Sequence, residues 1–466
     1  MKKIAIIGAG PAGLIAAMEL MDSAEIDLYE RGLSLEDRLK EVPINATCGI
    51  GGAGCMSDGK LTLHPQVGTS QVFLNIFGQN YIDKRLSELH HIFLDILGQT
   101  DIKIKTSEYS EEFKQKCRQA GFSLINKSAV AHYGTENARD IIKNIISIIK
   151  NKVNIFCEAN ILPNFVFKSN KIELNITIKE SSITKEYDYI ILATGRSGAL
   201  WMRDLYENSN LPFVPGIVDI GVRVECIKDI FEHFYEHYAF DPKFSRLSSF
   251  GERTRNFCSC LNNGEVTLEE YKFITDHNNN PLVCVNGHSY SEDYKNENPS
   301  GNSNMAILVS CKFTQPFSDP IGYAQSIGKL VNTLADGGVL LQSYLDFKKQ
   351  RRSKEDRIKK IETVPSLQDN WVAGDISFAL PHRIVKAIEE FIDGMDILFP
   401  GFANTLLMYA PEAKLYSNQA LIDEKELFYC GHENIYPAGD CSGLTRSWST
   451  ASLHGLVIAE RIKQNI

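Results

Sequence analysis

No apolar stretch in this chain approaches the length of a membrane span, which excludes a helical membrane protein and leads to the expectation of a cytoplasmic one. The opening Lys2-Lys3 and its apolar run have the look of a secretion signal. Gly8-Ala9-Gly10-Pro11 breaks that run where a signal needs an uninterrupted apolar helix. Redox and disulfide spacings are missing as well. The 11 cysteines are scattered, and the tightest pair, Cys258 and Cys260, is C-x-C rather than C-x-x-C. Reduced thiols in a reducing compartment are the expectation. Metal-ligand spacing is lacking too: His233 and His237 form an i, i+4 pair without the glutamate of H-E-x-x-H, so no metal is expected. Positive charge is not in excess. The net charge of −9 argues against a nucleic-acid partner. No internal repeat or low-complexity tract is present.

What is there begins at the N-terminus. Lys2 to Ile7 reads as a strand, Gly8-Ala9-Gly10-Pro11-Ala12-Gly13 follows, then an Ala-rich helix, then Ile26-Asp27-Leu28-Tyr29 ending in Glu30 and Arg31. This is strand, glycine turn, helix, strand, acid. Gly8 permits the turn off the strand, Gly10 lets a pyrophosphate approach the backbone, and Gly13 lets the helix pack on the sheet. Pro11 and Ala12 open a helix whose N–H groups and dipole favour phosphate. Glu30 stands where an acid accepts hydrogen bonds from an adenosine ribose. A dinucleotide is therefore expected here.

Two further landmarks decide which dinucleotide. The apolar run Tyr189 to Leu192 leads into Ala193-Thr194-Gly195, small residues that let a chain pass close to a flavin cofactor. Near the C-terminus, Ile435-Tyr436-Pro437-Ala438 leads into Gly439-Asp440, and Ser447 to Ile462 reads as a helix with Ser449 and Thr450 at its head. Strand, Gly-Asp, helix after the first fingerprint points to FAD rather than NAD. The helix N-terminus would face the edge of the flavin that gains negative charge on reduction. The expected fold is α/β: a discontinuous Rossmann-like FAD-binding domain with a parallel sheet and a β-meander, plus an inserted mixed α+β substrate domain. The boundaries read as 1–204 and 427–466 for the first, with an excursion at about 65–120, and 205–426 for the second. Strands are expected at Val153 to Phe156, Ile217 to Glu225 and Met305 to Phe313. Helices are expected at Ala138 to Lys150, Ile321 to Leu334 and His382 to Ile392. The Asn- and Ser-rich segment His277 to Ser303 reads as a surface loop interrupted by a short strand, Leu282 to Val285.

On these motifs the chain resembles a bacterial family of uncharacterised FAD-dependent dehydrogenases within the glutathione-reductase-like superfamily. Gly49-Ile50-Gly51-Gly52-Ala53-Gly54 leads into Ser57-Asp58-Gly59-Lys60-Leu61, similar to that family's S-D-G-K-L loop. Gly221-Val222-Arg223-Val224-Glu225 resembles its G-V-R-x-E strand, and Phe257-Cys258-Ser259-Cys260 its F-C-x-C. Val285-Asn286-Gly287-His288-Ser289, Asn302-Ser303-Asn304 and the run from Gly431 to Gly439 complete the likeness. The resemblance implies FAD and a redox role, with Gly52, Ser57 and Asp58 beside the cofactor; it implies no particular substrate. One departure matters. Where the family carries Gly-Gly-Ile-x-Ser-Ala, this chain has Thr445-Arg446-Ser447-Trp448-Ser449-Thr450-Ala451. Arg446 and Trp448 either face the flavin, favouring an anionic or aromatic substrate, or point away and serve packing.

The reaction expected is hydride transfer between a small molecule and flavin N5. Without a second G-x-G-x-x-G after a strand there is no domain for a nicotinamide cofactor, so NAD(P)H could act only as a transient reductant. The W-x-W-x-I-P signature of flavin halogenases is absent. The aspartate of the aromatic hydroxylases' D-G-x-x-S loop is missing at Thr194-Gly195-Arg196-Ser197-Gly198. A monooxygenase is thus the runner-up, followed by an FAD-holding scaffold or an RNA-modifying flavoprotein. Lys60, Arg223 and Arg446 are the candidate catalytic cations. Lys60 and Asp58 have the alternative of merely holding their loop. His288 and His382 are weaker candidates for carrying protons.

Overall fold

The computed structural model describes residues 1–41, 45, 47–55, 59–106, 108–125, 129–237, 241–275, 280–290 and 299–466. They divide into two compact units. Met1–Ile102, Glu136–Gly216 and Tyr416–Ile466 form the first; Lys103–Thr135 and Ile217–Leu415 form the second.

The first unit is built on five parallel strands in the order Ile435–Pro437, Tyr189–Leu192, Lys3–Ile7, Glu25–Tyr29, Val153–Phe156. Parallel strands are covered on both faces, so they read as continuous apolar runs rather than alternating ones. Ile4, Ala5, Ile6, Ile190, Ile191 and Leu192 are all completely buried. On the sheet lies the helix Pro11–Leu20, which packs against the helix Trp448–Gln464. The two come close because Gly455 has no side chain: a Cβ there would stand 2.1 Å from the Ala12 carbonyl oxygen. The crossover carries an antiparallel meander of Ala159–Ile161, Ile172–Ile178 and Ser181–Tyr187. Ile172, Leu174 and Ile176 alternate into its buried face.

In the second unit eight strands form one sheet. Its order is Trp371–Ala373, Val339–Ser343, Leu407–Leu415, Val218–Ile227, Asn302–Cys311, Arg253–Cys260, Phe244–Leu247, Ser123–Leu124. All neighbours are antiparallel except the first two. The helices Pro320–Leu334 and His382–Leu398 bury apolar stripes, the second through Ile384, Ala387, Ile388, Phe391, Ile392 and Met395. That spacing of three and four residues is one helical face. A hairpin of Glu265–Thr275 and Pro281–His288 closes over Val339, Leu341, Leu407 and Tyr409.

Two expectations change. The segment read as a loop with a short strand holds the full strand Pro281–His288, because Leu282, Cys284 and Val285 are buried beside a partner whose charged composition concealed it. Residues 277–279 and 291–298 of that segment lie outside the described residues. Residues 103–135, read with the cofactor domain, belong to the second unit, where Ser123–Leu124 pairs with Phe244–Leu247. Among the described residues no helix is long and apolar enough to cross a membrane.

Candidate functional site

The glycine turn has the geometry its sequence demands. Gly8 has φ of +106°, and a Cβ there would meet the Ala193 carbonyl oxygen at 2.3 Å. Gly13 is equally closed: its Cβ would lie 2.0 Å from the Gly8 oxygen. Gly10 is different. Its backbone is extended, and among the described residues a Cβ would meet nothing nearer than the Gly52 Cα at 4.0 Å. Two glycines therefore serve the fold and one borders open space. The helix begins at Pro11 with no side-chain cap, which leaves its first N–H groups for a bound anion.

Glu30 does more than the sequence suggests. One of its carboxylate oxygens accepts from Ala9 N at 3.0 Å; the other accepts from Gly32 N at 2.8 Å and Gly49 N at 3.0 Å. The acid thus ties the glycine turn to the second glycine-rich segment. Gly51 N adds a bond to Ala9 O at 2.8 Å. The segment is held from its other side by Arg38, a residue that sequence reasoning missed. This guanidinium is wholly buried and donates to the carbonyls of Asn45, Gly49, Ile50 and Gly52. Burial works against its charge, and the carbonyl cage offsets part of that cost. Nothing in Leu35-Glu36-Asp37-Arg38 distinguishes it from a surface arginine. Arg31 donates to the Ser197 carbonyl at 3.3 Å.

Ala193-Thr194-Gly195 runs past Gly8, as the 2.3 Å approach shows, and a Cβ on Gly195 (φ +59°) would meet nothing within 4 Å among the described residues. The Gly-Asp turn reaches the same helix end: a Cβ on Gly439 would meet the Ala12 Cβ at 2.8 Å. Gly439 N donates to Nδ1 of His454, a second missed residue. His454 is completely buried in the last helix, and burial pulls its pKa down to about 3. The imidazole is therefore neutral, with its proton on Nε2, edge-on to Phe73. Its signal was legible: one polar residue within the apolar run Leu453 to Ala459 needs a partner.

Asp440 accepts from Thr445 Oγ1 at 3.0 Å and faces Arg196 Nε at 3.6 Å. Burial pushes its pKa up to about 6, against the pull of Arg196, Thr445 and Arg446. A raised acid favours the folded state fully below its unfolded pKa, and that contribution is lost as pH rises through the folded value. The apoprotein should lose about 3 kcal/mol from this source between about pH 4 and pH 7. Asp440→Asn is expected to remove that slope, so urea unfolding of apoprotein should favour the variant at pH 7 and not at pH 4. An equal difference at both pH values would show that Asp440 does not titrate in this way.

The departure segment is resolved into two roles. Trp448 stacks on Phe93, with ring centroids 4.8 Å apart at 13°, and so serves packing. Arg446 lies over the Tyr416 ring at 4.3 Å, and its Nε is buried without a hydrogen bond among the described residues. Ser449 and Thr450 are completely buried. Thr450 Oγ1 donates to Gly68 O at 2.7 Å, Ser449 bonds Ser447, and Ser447 caps the helix through Thr450 N. The Thr450 hydroxyl thus ties Gly68 to the helix head.

Lys60 opens the strand Lys60–Leu63 in the first unit and is buried. Ser57 and Asp58 lie outside the described residues. Arg223 belongs to the second unit and has a different setting. Its guanidinium is completely buried, with two bonds to Glu412 at 2.8 and 3.1 Å, one to Asn304 at 2.7 Å, and longer ones to the Cys258 carbonyl and Asn286. All five donors have partners within the unit. Burial opposes its charge, but the Glu412 carboxylate together with Cys258 and Cys260 outweighs this and raises its pKa. This is the setting of an organising residue, and the substrate contact expected of Arg223 has no donor left to make it. His288 packs edge-on to Tyr290 and His382 edge-on to Phe250, both in the second unit.

No family model matches the chain. An uncharacterised protein of Clostridium beijerinckii is 25% identical to it over 494 residues, spanning 98% of this chain and 80% of that protein. Among solved structures, glycine oxidase from Geobacillus kaustophilus aligns with a TM-score of 0.44 at 10% identity, over 100% of this chain and 95% of that one. A flavoprotein/dehydrogenase from Cytophaga hutchinsonii aligns with a TM-score of 0.41 at 10% identity, over 99% of this chain and 79% of that one.

Proposed function

We propose that the chain is an FAD-dependent oxidoreductase acting on a small molecule. The observation that carries this is the open space at Gly10, set between two closed glycines at an uncapped helix start. A turn that needed glycine for folding alone would not leave a methyl-sized vacancy there. The donor set fits the group. Backbone N–H groups are offered to phosphates, and the chain passes at Ala193 to Gly195 and Gly439 without bulk. FAD, when bound, supplies a hydride acceptor and donor at N5. Residues 8–13, 30–31, 49–54, 193–195 and 439–440 would hold it, with Ser57 and Asp58 as further contacts.

Within this reading Arg446 offers its buried, unbonded Nε to an anionic substrate group, beside Asp440, and Lys60 is a second buried cation for the same purpose. Tyr416 holds the Arg446 guanidinium by its ring face. Arg446→Gln is expected to keep FAD and to lower the rate of flavin reduction about a hundredfold, the effect of losing one preorganised donor. Trp448→Ala should lower the melting temperature and leave that rate unchanged. The test of the reading as a whole is direct. Purified protein should be yellow with FAD at one per chain, and an anaerobic panel of small metabolites should bleach it. Colourless protein that takes up no FAD on reconstitution would refute the binding. Flavin reduced by dithionite alone would refute the enzyme.

A further inference from the structure

We propose that Cys258 and Cys260 form a redox dithiol that small disulfides oxidise to an internal disulfide. In a regular strand, residues i and i+2 point the same way but stand about 6.6 Å apart. Here the strand Arg253–Cys260 is bulged: its pairing with Asn302–Cys311 slips between Phe257 and Cys260. Cys258 occupies the left-handed region at φ +43°, a conformation that costs free energy in a residue with a side chain. The bulge brings the two sulfurs to 3.9 Å. It is pinned on both sides. Ser259 between the cysteines donates its N–H to Asp241 at 3.1 Å and accepts from Asn256 at 2.8 Å. Arg223 donates to the Cys258 carbonyl at 3.3 Å and so places a positive charge beside the pair. Strain held in place by this many bonds, with two thiols in contact as its result, is what a working dithiol requires.

Exposure assigns the order of events. Cys258 is partly exposed and Cys260 is completely buried. The Cys258 thiolate attacks a sulfur of the small disulfide, forming a mixed disulfide and releasing one thiol. The Cys260 thiolate then attacks Cys258 Sγ, forming the internal disulfide and releasing the second thiol. Two protein thiols are oxidised and one disulfide is reduced to two thiols, with the two protons carried to them. The pair thus acts as an attacking and a resolving cysteine, although its spacing is C-x-C.

Trypsin would release residues 256–272 as one peptide holding both cysteines and no others. The native full-length protein is equilibrated with oxidised glutathione or reduced dithiothreitol, denatured in excess N-ethylmaleimide and digested. After the oxidised buffer the peptide should be two hydrogens lighter with labelling reduced at least tenfold; after the reduced buffer it should be doubly labelled. Cys260→Ser treated with oxidised glutathione should retain a stable mixed disulfide on Cys258, while the wild-type chain should not. Double labelling in both buffers would overturn the proposal, as would a persistent mixed disulfide in the wild type. If Cys260→Ser fails to fold, the wild-type peptide masses decide alone.

Discussion

Gly10→Val should yield a folded, colourless protein that no longer retains FAD. The expectation separates three glycines of one motif. A Cβ at Gly8 or Gly13 would lie at 2.3 or 2.0 Å from backbone oxygen, so alanine at either should destroy the fold. At Gly10 the same atom would meet only the Gly52 Cα, at 4.0 Å, among the described residues, and the backbone there is extended, so the apoprotein is expected to accept valine. Its methyl groups would then occupy the approach path of a pyrophosphate. The check is circular dichroism and melting temperature near wild type, together with a flavin content below about a tenth of it. A yellow Gly10→Val protein would place the phosphates elsewhere.

Arg223→Met should destabilise the chain by about 3–5 kcal/mol, the cost of taking a buried cation and its bonds from a buried carboxylate that keeps only the Lys414 ammonium, at 3.1 Å. The double variant Arg223→Met, Glu412→Leu should recover part of this, because it removes the buried carboxylate along with the cation and leaves only Lys414, at the margin of the site, to lose its carboxylate. Denaturant unfolding measures both, and a double variant as unstable as the single one would contradict the pairing argument. Gly287 belongs to the same arrangement: a Cβ there would stand 2.2 Å from Arg223 Nη1. Unchanged stability with altered turnover in Arg223→Met would instead return this residue to the substrate.

The parts legible in sequence share a physical cause. A strand buried on both faces, such as Tyr189–Leu192, carries an uninterrupted apolar run, and its limits fall where the sequence predicts. Glycines at closed positions are legible because no other residue fits them. Arg38 was not legible, since the carbonyls that enclose it come from a loop and carry no side-chain signature. The contact of Cys258 with Cys260 was hidden for a similar reason: a bulge shortens a distance that residue spacing alone overstates. Glu30 shows a mixed case. Its position announced an acid at the ribose, while its bonds to Ala9, Gly32 and Gly49 depend on a loop conformation that no pattern encodes.

The first unit draws a strand from each of its three segments, and Ile435–Pro437 completes its sheet beside Tyr189–Leu192. During synthesis, residues 217–415 leave the ribosome before that strand does. The second unit's eight-stranded sheet then has all its parts while the parallel sheet still exposes an open edge at Tyr189–Leu192. Such an edge invites pairing with another chain. Chains stalled before residue 435 should therefore aggregate through the first unit, and a chaperone that masks strand edges should raise the yield of full-length protein more than added flavin does.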